Sequence, residues 1–217
     1  MDWSQGLPFE LCDMGIPCLD FVNTVDSRSA ARPRDLLGSY ADVVRWAAAL
    51  RLLSGDEAAA LETLADRAPA AAEGARRSAL AAREAIYGLF AAIVRRQPPR
   101  AGDLGVFNEA LARALAHLEI APTDGGLGWM WSAEIALDRM LWPVMRSAAE
   151  LLTSDQRDCI GECAAPDCGW LFLDTSRNHT RRWCDMKNCG NRAKARRHYQ
   201  RERALGGPAG PPGAVRA

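Results

Sequence analysis

Two pairs of cysteines in the C-terminal quarter carry the clearest chemical signal in the sequence. They follow the pattern C-x4-C-x15-C-x4-C, formed by Cys163, Cys168, Cys184 and Cys189. Tetrahedral zinc takes four ligands that converge from two chain segments, and paired cysteines supply two ligands each through a tight turn. Asp, Asn, Lys and Arg surround these thiols, so they would make a poor apolar core. The spacing therefore predicts a metal site, with zinc as the expected ion and an iron–sulfur cluster as the alternative.

Of the other cysteines, Cys159 could substitute for a ligand but as the fifth thiol is expected to pack, and Cys12 and Cys18 are expected to be structural or incidental. The total of seven is odd, and the first ten residues are acidic, unlike a basic signal peptide. No apolar run approaches the roughly 18 residues that a membrane span needs. We therefore expect a cytoplasmic protein without a membrane partner, whose cysteine cluster binds metal rather than forming a disulfide framework.

The predicted zinc ion is expected to have a structural role. Four cysteines fill the coordination shell, whereas catalytic zinc keeps an open position and usually recruits histidine or a carboxylate. The three histidines, His117, His179 and His198, fall into no catalytic motif, and the sequence has no P-loop, G-x-S-x-G or H-E-x-x-H. The sequence therefore favours a protein that is not an enzyme.

The formal net charge is zero, but the charges are divided unevenly along the chain. Residues 1–175 carry 16 Arg and no Lys against 25 Asp and Glu, a net charge of −9. Residues 176–217 carry 11 basic and 2 acidic residues, a net charge of +9. Such an asymmetry between two parts of one chain indicates an anionic partner for the basic part.

The basic part contains a predicted helix from about Cys189 to Leu205. Its basic residues occupy more than one face, and it has no wide apolar stripe to bury. Arginine forks on such a helix suit phosphate contact and insertion into a DNA groove. We therefore predict DNA contact by nine residues, namely Arg181, Arg182, Asn191, Arg192, Lys194, Arg196, Arg197, Tyr199 and Arg201.

Other roles for the basic segment remain open. Arg181, Arg182 and Arg192 could offset the charge of about −2 on a four-thiolate zinc site. The run of charge could also simply be solvated. The segment could instead bind single-stranded RNA, with Trp or Tyr stacking on bases, or dock onto a protein, including the acidic part of its own chain.

A segment near the N-terminus places polar residues within an apolar stretch. In CLDFVNTVDSR, four of these polar residues are Asp20, Asn23, Thr24 and Arg28. Buried polar groups need hydrogen-bond partners. These four residues therefore either line a ligand pocket or bond to one another and to the backbone.

Most of residues 36–152 is predicted to be helical. Apolar residues recur at helical spacing in SYADVVRWAAALRLL, and Ser54 with Glu57 forms a capping box for the next helix. A further helix is predicted over 79–96, where basic residues and then QPPR end it. Another helix is predicted around Phe107.

A short β-hairpin is predicted in LEIAPTDGGLGWMWS, where apolar residues alternate and turn residues form the connection. Its Trp129 and Trp131 are expected to lie in the core. After the hairpin, a helix is predicted from Ser132 to about Leu152. Pro143 lies inside the apolar stripe of this helix and is expected to kink it.

Two segments resemble known families. CAAPDCGWLFLDTSRNHTRRWCDMKNCGNRAKARRHYQR resembles the CGNR-type zinc finger, named for the letters at residues 189–192. PCLDFVNTVDSR, residues 17–28, resembles the signature of the ABATE domain, which is described as a stress-induced transcription regulator. The resemblance implies a zinc-binding transcription regulator. We expect its C-terminal helix to contact DNA and its N-terminal domain to sense a small-molecule ligand or to mediate assembly, for example as a homodimer.

The expected fold class is mainly α. Residues 1–153 are expected to form an ABATE-like helical domain with a short β-hairpin, and residues 154–205 a small treble-clef-like zinc finger with a β-hairpin and a basic helix. The Gly/Pro-rich tail at 206–217 is expected to be disordered. Because a finger of about 40 residues has only a small core, zinc is expected to stabilise it. Three aromatic residues are expected to form that core: Trp170, Phe172 and Trp183.

Overall fold

The protein is mainly helical, which confirms the predicted fold class. The structure, a computed structural model, describes residues 15–204, and within that range it contains seven α-helices and three two-stranded antiparallel sheets. Cys12 and the Gly/Pro-rich tail at 206–217, for which the sequence made predictions, lie outside the described residues.

Helices form most of the chain, and short strand pairs separate them. The seven helices are α1 (Pro17–Val22), α2 (Tyr40–Ala49), α3 (Gly55–Arg67), α4 (Pro69–Val94), α5 (Ala101–Leu115), α6 (Leu141–Thr153) and α7 (Asn191–Ala204). The strands pair as β1 (Val25–Asp26) with β2 (Arg34–Asp35), β3 (Leu118–Thr123) with β4 (Gly126–Trp131), and β5 (Ile160–Glu162) with β6 (Leu171–Leu173). A 3-10 turn, Asp155–Cys159, precedes β5, and a π-helical turn, Met186–Gly190, precedes α7.

Two serine caps determine where α2 and α3 begin. The Ser39 hydroxyl accepts from the Asp42 amide at 3.2 Å, while the Asp42 carboxylate accepts from the Ser39 amide at 2.8 Å. Ser54 and Glu57 repeat this arrangement at the start of α3, as the sequence predicted. Each box pairs amide groups that a helix start otherwise leaves without partners. Glu57 also accepts from Arg139 at 2.6 Å, which ties α3 to the segment before α6.

Helix α4 is longer than the sequence predicted. It spans 26 residues, whereas apolar spacing predicted a helix only over 79–96. Its first turns are rich in alanine, which favours helix without producing an apolar period. Pro69 occupies the first helical position, where its missing amide hydrogen costs nothing. The end at Val94 lies within two residues of the predicted stop.

The prediction of a kinked helix from Ser132 is wrong in two respects, the start of the helix and the kink. Helix α6 begins at Leu141, and the residues immediately before it form turns. Pro143 therefore lies in the first helical turn, where backbone amides have no intrahelical partner and proline removes no hydrogen bond. Leu137, in the preceding segment, packs against the core while its carbonyl accepts from the Tyr40 hydroxyl at 2.9 Å.

The predicted hairpin is present as β3 and β4. Its register pairs Leu118 with Trp131 and Ile120 with Trp129. Trp131 is half-buried and packs near Trp142, with ring centroids 6.0 Å apart. Trp129 is 58% exposed, so its predicted place in the core is wrong. Most residues of the hairpin beyond its first residue pair are exposed.

One apolar core joins the helices to the C-terminal strands. Residues 18–22 of α1 are at most 2% exposed, and this short helix packs against α4, α6 and β6. The rings of Phe21 and Trp46 lie 5.0 Å apart at their centroids. Three residues of β5 and β6 belong to the same apolar cluster: Ile160, Leu171 and Leu173. The predicted helical domain and the predicted finger therefore share a core.

Hydrogen bonds connect the segment after α1 to the chain around β6. Asn23 donates to the Leu171 carbonyl at 2.8 Å and accepts from the Leu171 amide at 3.0 Å, so its side chain acts as a neighbouring strand would. The Arg28 amide donates to the Cys168 carbonyl at 2.8 Å. A residue of the first cysteine pair is thus bonded directly to the N-terminal segment.

Gly169 allows these two segments to approach closely. Its φ is +69°, a conformation that residues with side chains rarely adopt. A Cβ at this position would lie 2.5 Å from the Ser29 hydroxyl oxygen. Next to it, the Trp170 indole donates to the Val25 carbonyl at 2.9 Å. A larger residue at position 169 would therefore separate the two segments.

Replacing Asn23 by alanine is expected to destabilise the fold. Asn23 is 2% exposed, so the variant leaves the amide and the carbonyl of Leu171 without these buried partners. Two such groups cost about 2–4 kcal/mol in the free energy of unfolding, which urea titration followed by circular dichroism measures. Asn178→Ala, at an exposed position, is the matched control. An Asn23→Ala protein as stable as this control would contradict the structural role of Asn23.

Candidate metal centre and basic helix

The four predicted ligand cysteines converge on one point. All are buried, and their sulfur atoms lie within 4.8 Å of one another: Cys163, Cys168, Cys184 and Cys189. The Cys184 sulfur is 3.7 Å from those of both Cys168 and Cys189. Four sulfurs at the usual zinc–sulfur distance of about 2.3 Å from a tetrahedral centre stand about 3.8 Å apart. The geometry therefore fits a four-coordinate zinc ion.

The first ligand pair lies in the turn between β5 and β6. The Cys163 amide donates to the Trp170 carbonyl at 2.8 Å, and the Cys168 amide donates to the Ala165 carbonyl at 3.1 Å. These bonds close the loop at the end of the strand pair. Both thiols are consequently held at the same end of the hairpin.

The second ligand pair is held by the side chain of Asp185. Its carboxylate accepts from the Lys187 amide at 2.9 Å and from the Asn188 amide at 3.2 Å, and its carbonyl accepts from the Gly190 amide at 3.0 Å. These bonds hold the π-helical turn that carries Cys189 to the start of α7. The direction of α7 is therefore tied to the metal centre.

A small aromatic cluster surrounds the thiols, as predicted. Phe172 is 1% exposed, and Trp170 and Trp183 pack against it and the cysteines while partly buried. A Cβ on Gly190 would lie 2.8 Å from the Met186 sulfur and 3.4 Å from the Trp183 ring. A larger residue at the second CGNR position would have to displace both side chains.

Hydrogen bonds to sulfur influence the charge of the centre. The thiols of Cys168 and Cys184 bond to Cys163, and these bonds lower the pKa of Cys163. Arg192 donates from Nη2 to the Cys189 sulfur at 3.2 Å, and this bond raises the pKa of the guanidinium. A cation at this distance offsets part of the negative charge that four thiolates bring to a zinc site.

Arg181 bonds within the finger. Its guanidinium donates to the carbonyls of Trp183 at 2.9 Å, Leu173 at 3.3 Å and Cys184. It also lies 4.7 Å from the centroid of the Phe172 ring. These contacts join the segment after β6 to the second ligand pair, so Arg181 has a structural role. Its contact with DNA stays a prediction.

Asp174 is a residue of this site that the sequence analysis missed. It is 6% exposed and accepts from the Arg181 amide at 2.8 Å and from the Ser176 amide at 2.9 Å. The bond from the Ser176 hydroxyl at 2.5 Å is the main cause that lowers the pKa of its carboxyl group. An Asp that bonds to the backbone two residues later is typical of a turn, and the letters D-T-S carry that signal.

The other predicted DNA contacts lie on or near α7. Seven of them are in the helix itself and have exposed side chains: Asn191, Arg192, Lys194, Arg196, Arg197, Tyr199 and Arg201. Arg182 precedes the helix, with its guanidinium 5.6 Å from the centroid of the Trp183 ring. Five of the predicted cations thus lie along one exposed helix of 14 residues.

The other described cysteines lie outside the metal centre. Cys18 is fully buried in the apolar core, and burial raises the pKa of its thiol to about 12. Cys159 is half-buried and packs against the same core. Cys159 therefore packs, as the sequence predicted, and Cys18 has the structural one of its two expected roles.

Two family models match the chain. The model of the ABATE domain, described as "Putative stress-induced transcription regulator", matches residues 15–155, more than half of the chain. The chain belongs to the ABATE family. The model of the CGNR zinc finger matches residues 160–202, and this match with the four converging cysteines identifies zinc as a structural cofactor. A search of curated proteins found no match. Among the described residues of this ABATE protein, no helix is long and apolar enough to cross a membrane.

Two polar residues of the ABATE signature bond to the protein itself. Asn23 pairs with the backbone of Leu171, as described above. The Thr24 hydroxyl donates to the Phe21 carbonyl at 2.7 Å and accepts from Arg83 at 3.1 Å. These bonds correspond to the second of the two alternatives that the sequence left open.

Arg28 of the ABATE signature is likewise paired. Its guanidinium donates to the Glu84 carboxylate at 2.5 Å and to the Val22 carbonyl at 3.1 Å, and it lies 4.0 Å from the centroid of the Tyr87 ring. Asp20 is buried in α1. Ligand binding by these signature residues stays a prediction.

Arg83 is a central cation of the ABATE domain that the sequence analysis did not single out. It is 3% exposed and donates to the two carboxylate oxygens of Asp35 at 2.8 and 2.7 Å. Partial burial acts to raise the pKa of Asp35, but the bonds from Arg83 and from the Leu37 amide, together with the charges of Arg83 and Arg76, lower the pKa overall. One arginine in an alanine-rich helix carries no local signal of this role.

Removal of zinc is expected to lower the melting temperature of the whole ABATE protein, because β5 and β6 pack in the shared core. Cys184→Ser is expected to reduce the metal content from about one zinc per chain to a small fraction of it. Mass-spectrometric metal analysis and thermal circular dichroism measure the two effects. Cys159→Ser, outside the cluster, is the matched control and should retain zinc. Full zinc content in Cys184→Ser would contradict its role as a ligand.

Proposed function

We propose that this ABATE protein is a zinc-dependent transcription regulator that contacts DNA through α7. The two family matches and the four-cysteine centre support a zinc-binding regulator. The proposal of DNA contact rests on one observation, the charge and exposure of α7. This helix carries six basic residues and one acidic residue in 14 positions, and most of its side chains are exposed.

Such a helix is unsuited to packing in a protein core. A core helix needs an apolar stripe, and α7 has none. Its position depends instead on the π-helical turn at the metal centre. An α-helix fits the major groove of DNA, and arginine forks bind phosphates while releasing counterions. These properties favour α7 as a nucleic-acid contact anchored by zinc.

The proposal gives the chain no catalytic role. Four cysteines complete a tetrahedral zinc shell and leave no position for a substrate or an activated water. The ion would therefore act by holding the finger and α7 in place.

For the ABATE domain we propose regulation of α7 by ligand binding or by assembly. The bond from the Arg28 amide to the Cys168 carbonyl supports this proposal, because it joins the ABATE signature to a zinc ligand. The paired bonds between Asn23 and Leu171 reinforce the same junction. A shift of the signature segment would consequently move the first ligand pair, and with it the finger.

Neutralising three cations of α7 is expected to weaken DNA binding. The variant combines Lys194→Gln, Arg197→Gln and Arg201→Gln, which keeps helix-forming side chains of similar length. Binding of the zinc-loaded full chain to a duplex of about 20 base pairs is measured by fluorescence anisotropy across a salt series. The slope of log affinity against log salt should become shallower by up to about three units, because each lost phosphate contact removes about 0.9.

The matched control removes the same charge from exposed positions of the ABATE domain, by Arg32→Gln, Arg67→Gln and Arg77→Gln. An equal loss in the control would show that net charge alone matters, and this would reject the role of α7. Stronger binding to single-stranded RNA than to duplex would replace DNA with RNA as the partner. Binding of a separately added ABATE domain, with none to nucleic acid, would instead indicate a protein-interaction role.

A further inference from the structure

A groove beside α7 contains an acidic residue among arginines. It has a volume of about 290 Å³ and lies between the loop 165–167 and one side of the helix, with Trp183 in its wall. Four arginines line it: Arg182, Arg192, Arg196 and Arg197. Asp167 lies in the same groove. The proposed DNA-binding surface therefore includes a carboxylate of the protein itself, that of Asp167.

Asp167 lies near two of these arginines but makes no short hydrogen bond to either guanidinium group. Its Oδ2 lies 3.6 Å from Arg192 Nη1 and 3.5 Å from Arg196 Nη2. Charge-assisted bonds between nitrogen and oxygen are usually about 2.7–2.9 Å long. Both guanidinium groups consequently retain the capacity to bond strongly to another acceptor.

The second carboxylate oxygen of Asp167 lies where no group of the described residues donates to it. Oδ1 is buried and has no hydrogen-bond partner within residues 15–204. A buried polar atom without a partner raises the free energy of the conformation that contains it. Since the side chain is 34% exposed overall, rotation towards solvent would let Oδ1 form a hydrogen bond to water. Asp167 can therefore leave the groove at a small cost.

Arg192 is held in place for a new acceptor by the metal centre. Its Nη2 donates to the Cys189 sulfur at 3.2 Å, while its Nη1 faces Asp167. The apolar side chains of Ala165, Pro166 and Trp183 form part of the walls of the groove. A phosphate group has several acceptor oxygens and can accept a short bond from each guanidinium group, whereas Asp167 offers both groups one oxygen at 3.5 and 3.6 Å.

We propose that this groove binds a backbone phosphate of DNA and that Asp167 occupies the phosphate position in the free protein. The inference rests on the proposed contact between α7 and DNA, and it identifies the groups that make one contact. Arg192 and Arg196 bind the phosphate once Asp167 has turned away. Asp167 thereby lowers the affinity of the finger for polyanions, so that contacts elsewhere on the DNA are needed for tight binding.

Asp167→Asn is expected to tighten duplex binding. Removing one negative charge near a phosphate raises affinity by about fivefold at low salt, which is the strength of a fully hydrated charge pair at about 4 Å. The salt slope should become steeper by at most about one unit, because the carboxylate no longer offsets part of the positive charge that neutralises this phosphate. The zinc-loaded full chain is titrated with the duplex by anisotropy. Asp167→Ser provides a second variant, and zinc content with thermal melting shows that each variant is folded.

Asp158→Asn is the matched control, because it removes the same charge from an exposed side chain 3.9 Å from Arg157. A tightening in Asp167→Asn that exceeds the control, and that shrinks when Arg196→Gln is added, supports the proposal. Equal tightening in both single variants would overturn it, since net charge would be sufficient. Binding that depends on α7 but is unchanged by Asp167→Asn would overturn this inference alone. If neither the parent chain nor Asp167→Asn binds duplex, both this inference and the proposed function are rejected.

Discussion

Convergence of four thiols is the constraint on which the C-terminal part of this protein depends. Two sulfurs come from the loop between β5 and β6, and two come from the π-helical turn before α7. Each segment has few apolar side chains of its own, so local hydrogen bonds and the metal together must hold it. Asp185 and Arg181 satisfy the backbone groups of these segments. The metal centre thereby determines where α7 starts and which way it points.

The same constraint extends into the ABATE domain. The family boundary lies between residues 155 and 160, yet the apolar cluster crosses it through Ile160 and Leu171. A finger of about 40 residues buries too little surface to be stable alone, and here the strand pair packs on α1 and α4. The Arg28 amide then reaches the carbonyl of Cys168, one of the four zinc ligands. The two family segments thus share one apolar core, and backbone hydrogen bonds connect the ABATE domain to the metal centre that precedes α7.

The positive charges of α7 have two roles. Arg192 bonds to the sulfur of Cys189 and also faces Asp167 in the groove beside α7, so one guanidinium joins the metal centre to the proposed phosphate site. Farther along the helix, the cations are remote from the thiolates and have solvent around them. The local charge of α7 is therefore only partly explained by the metal. The remaining charge supports the proposed polyanionic partner.

Local sequence patterns determined the elements whose physics is local. The cysteine spacing predicted the metal centre, because a tight turn places paired thiols together. The capping box of Ser54 predicted the start of α3, and alternating residues predicted the β3–β4 hairpin. The predicted start of α6 was wrong because a proline such as Pro143 is compatible with the first turn of a helix as well as with a kink inside one. Only the packing around Leu137 shows that Pro143 lies in a first turn.

Tertiary structure decided which polar groups meet. Asn23 and Leu171 are 148 residues apart, and Arg83 and Asp35 are 48 apart, so no periodicity links them. The exposure of Trp129 likewise depends on which part of its hairpin packs against the core, and Trp131 is the tryptophan that does so. By itself the sequence determined the metal ligands, the helical character and the basic C-terminal helix, because turn chemistry, apolar period and charge are properties of neighbouring residues. The junction between the ABATE domain and the finger required the folded chain, because hydrogen bonds between distant residues form only when the core brings them together.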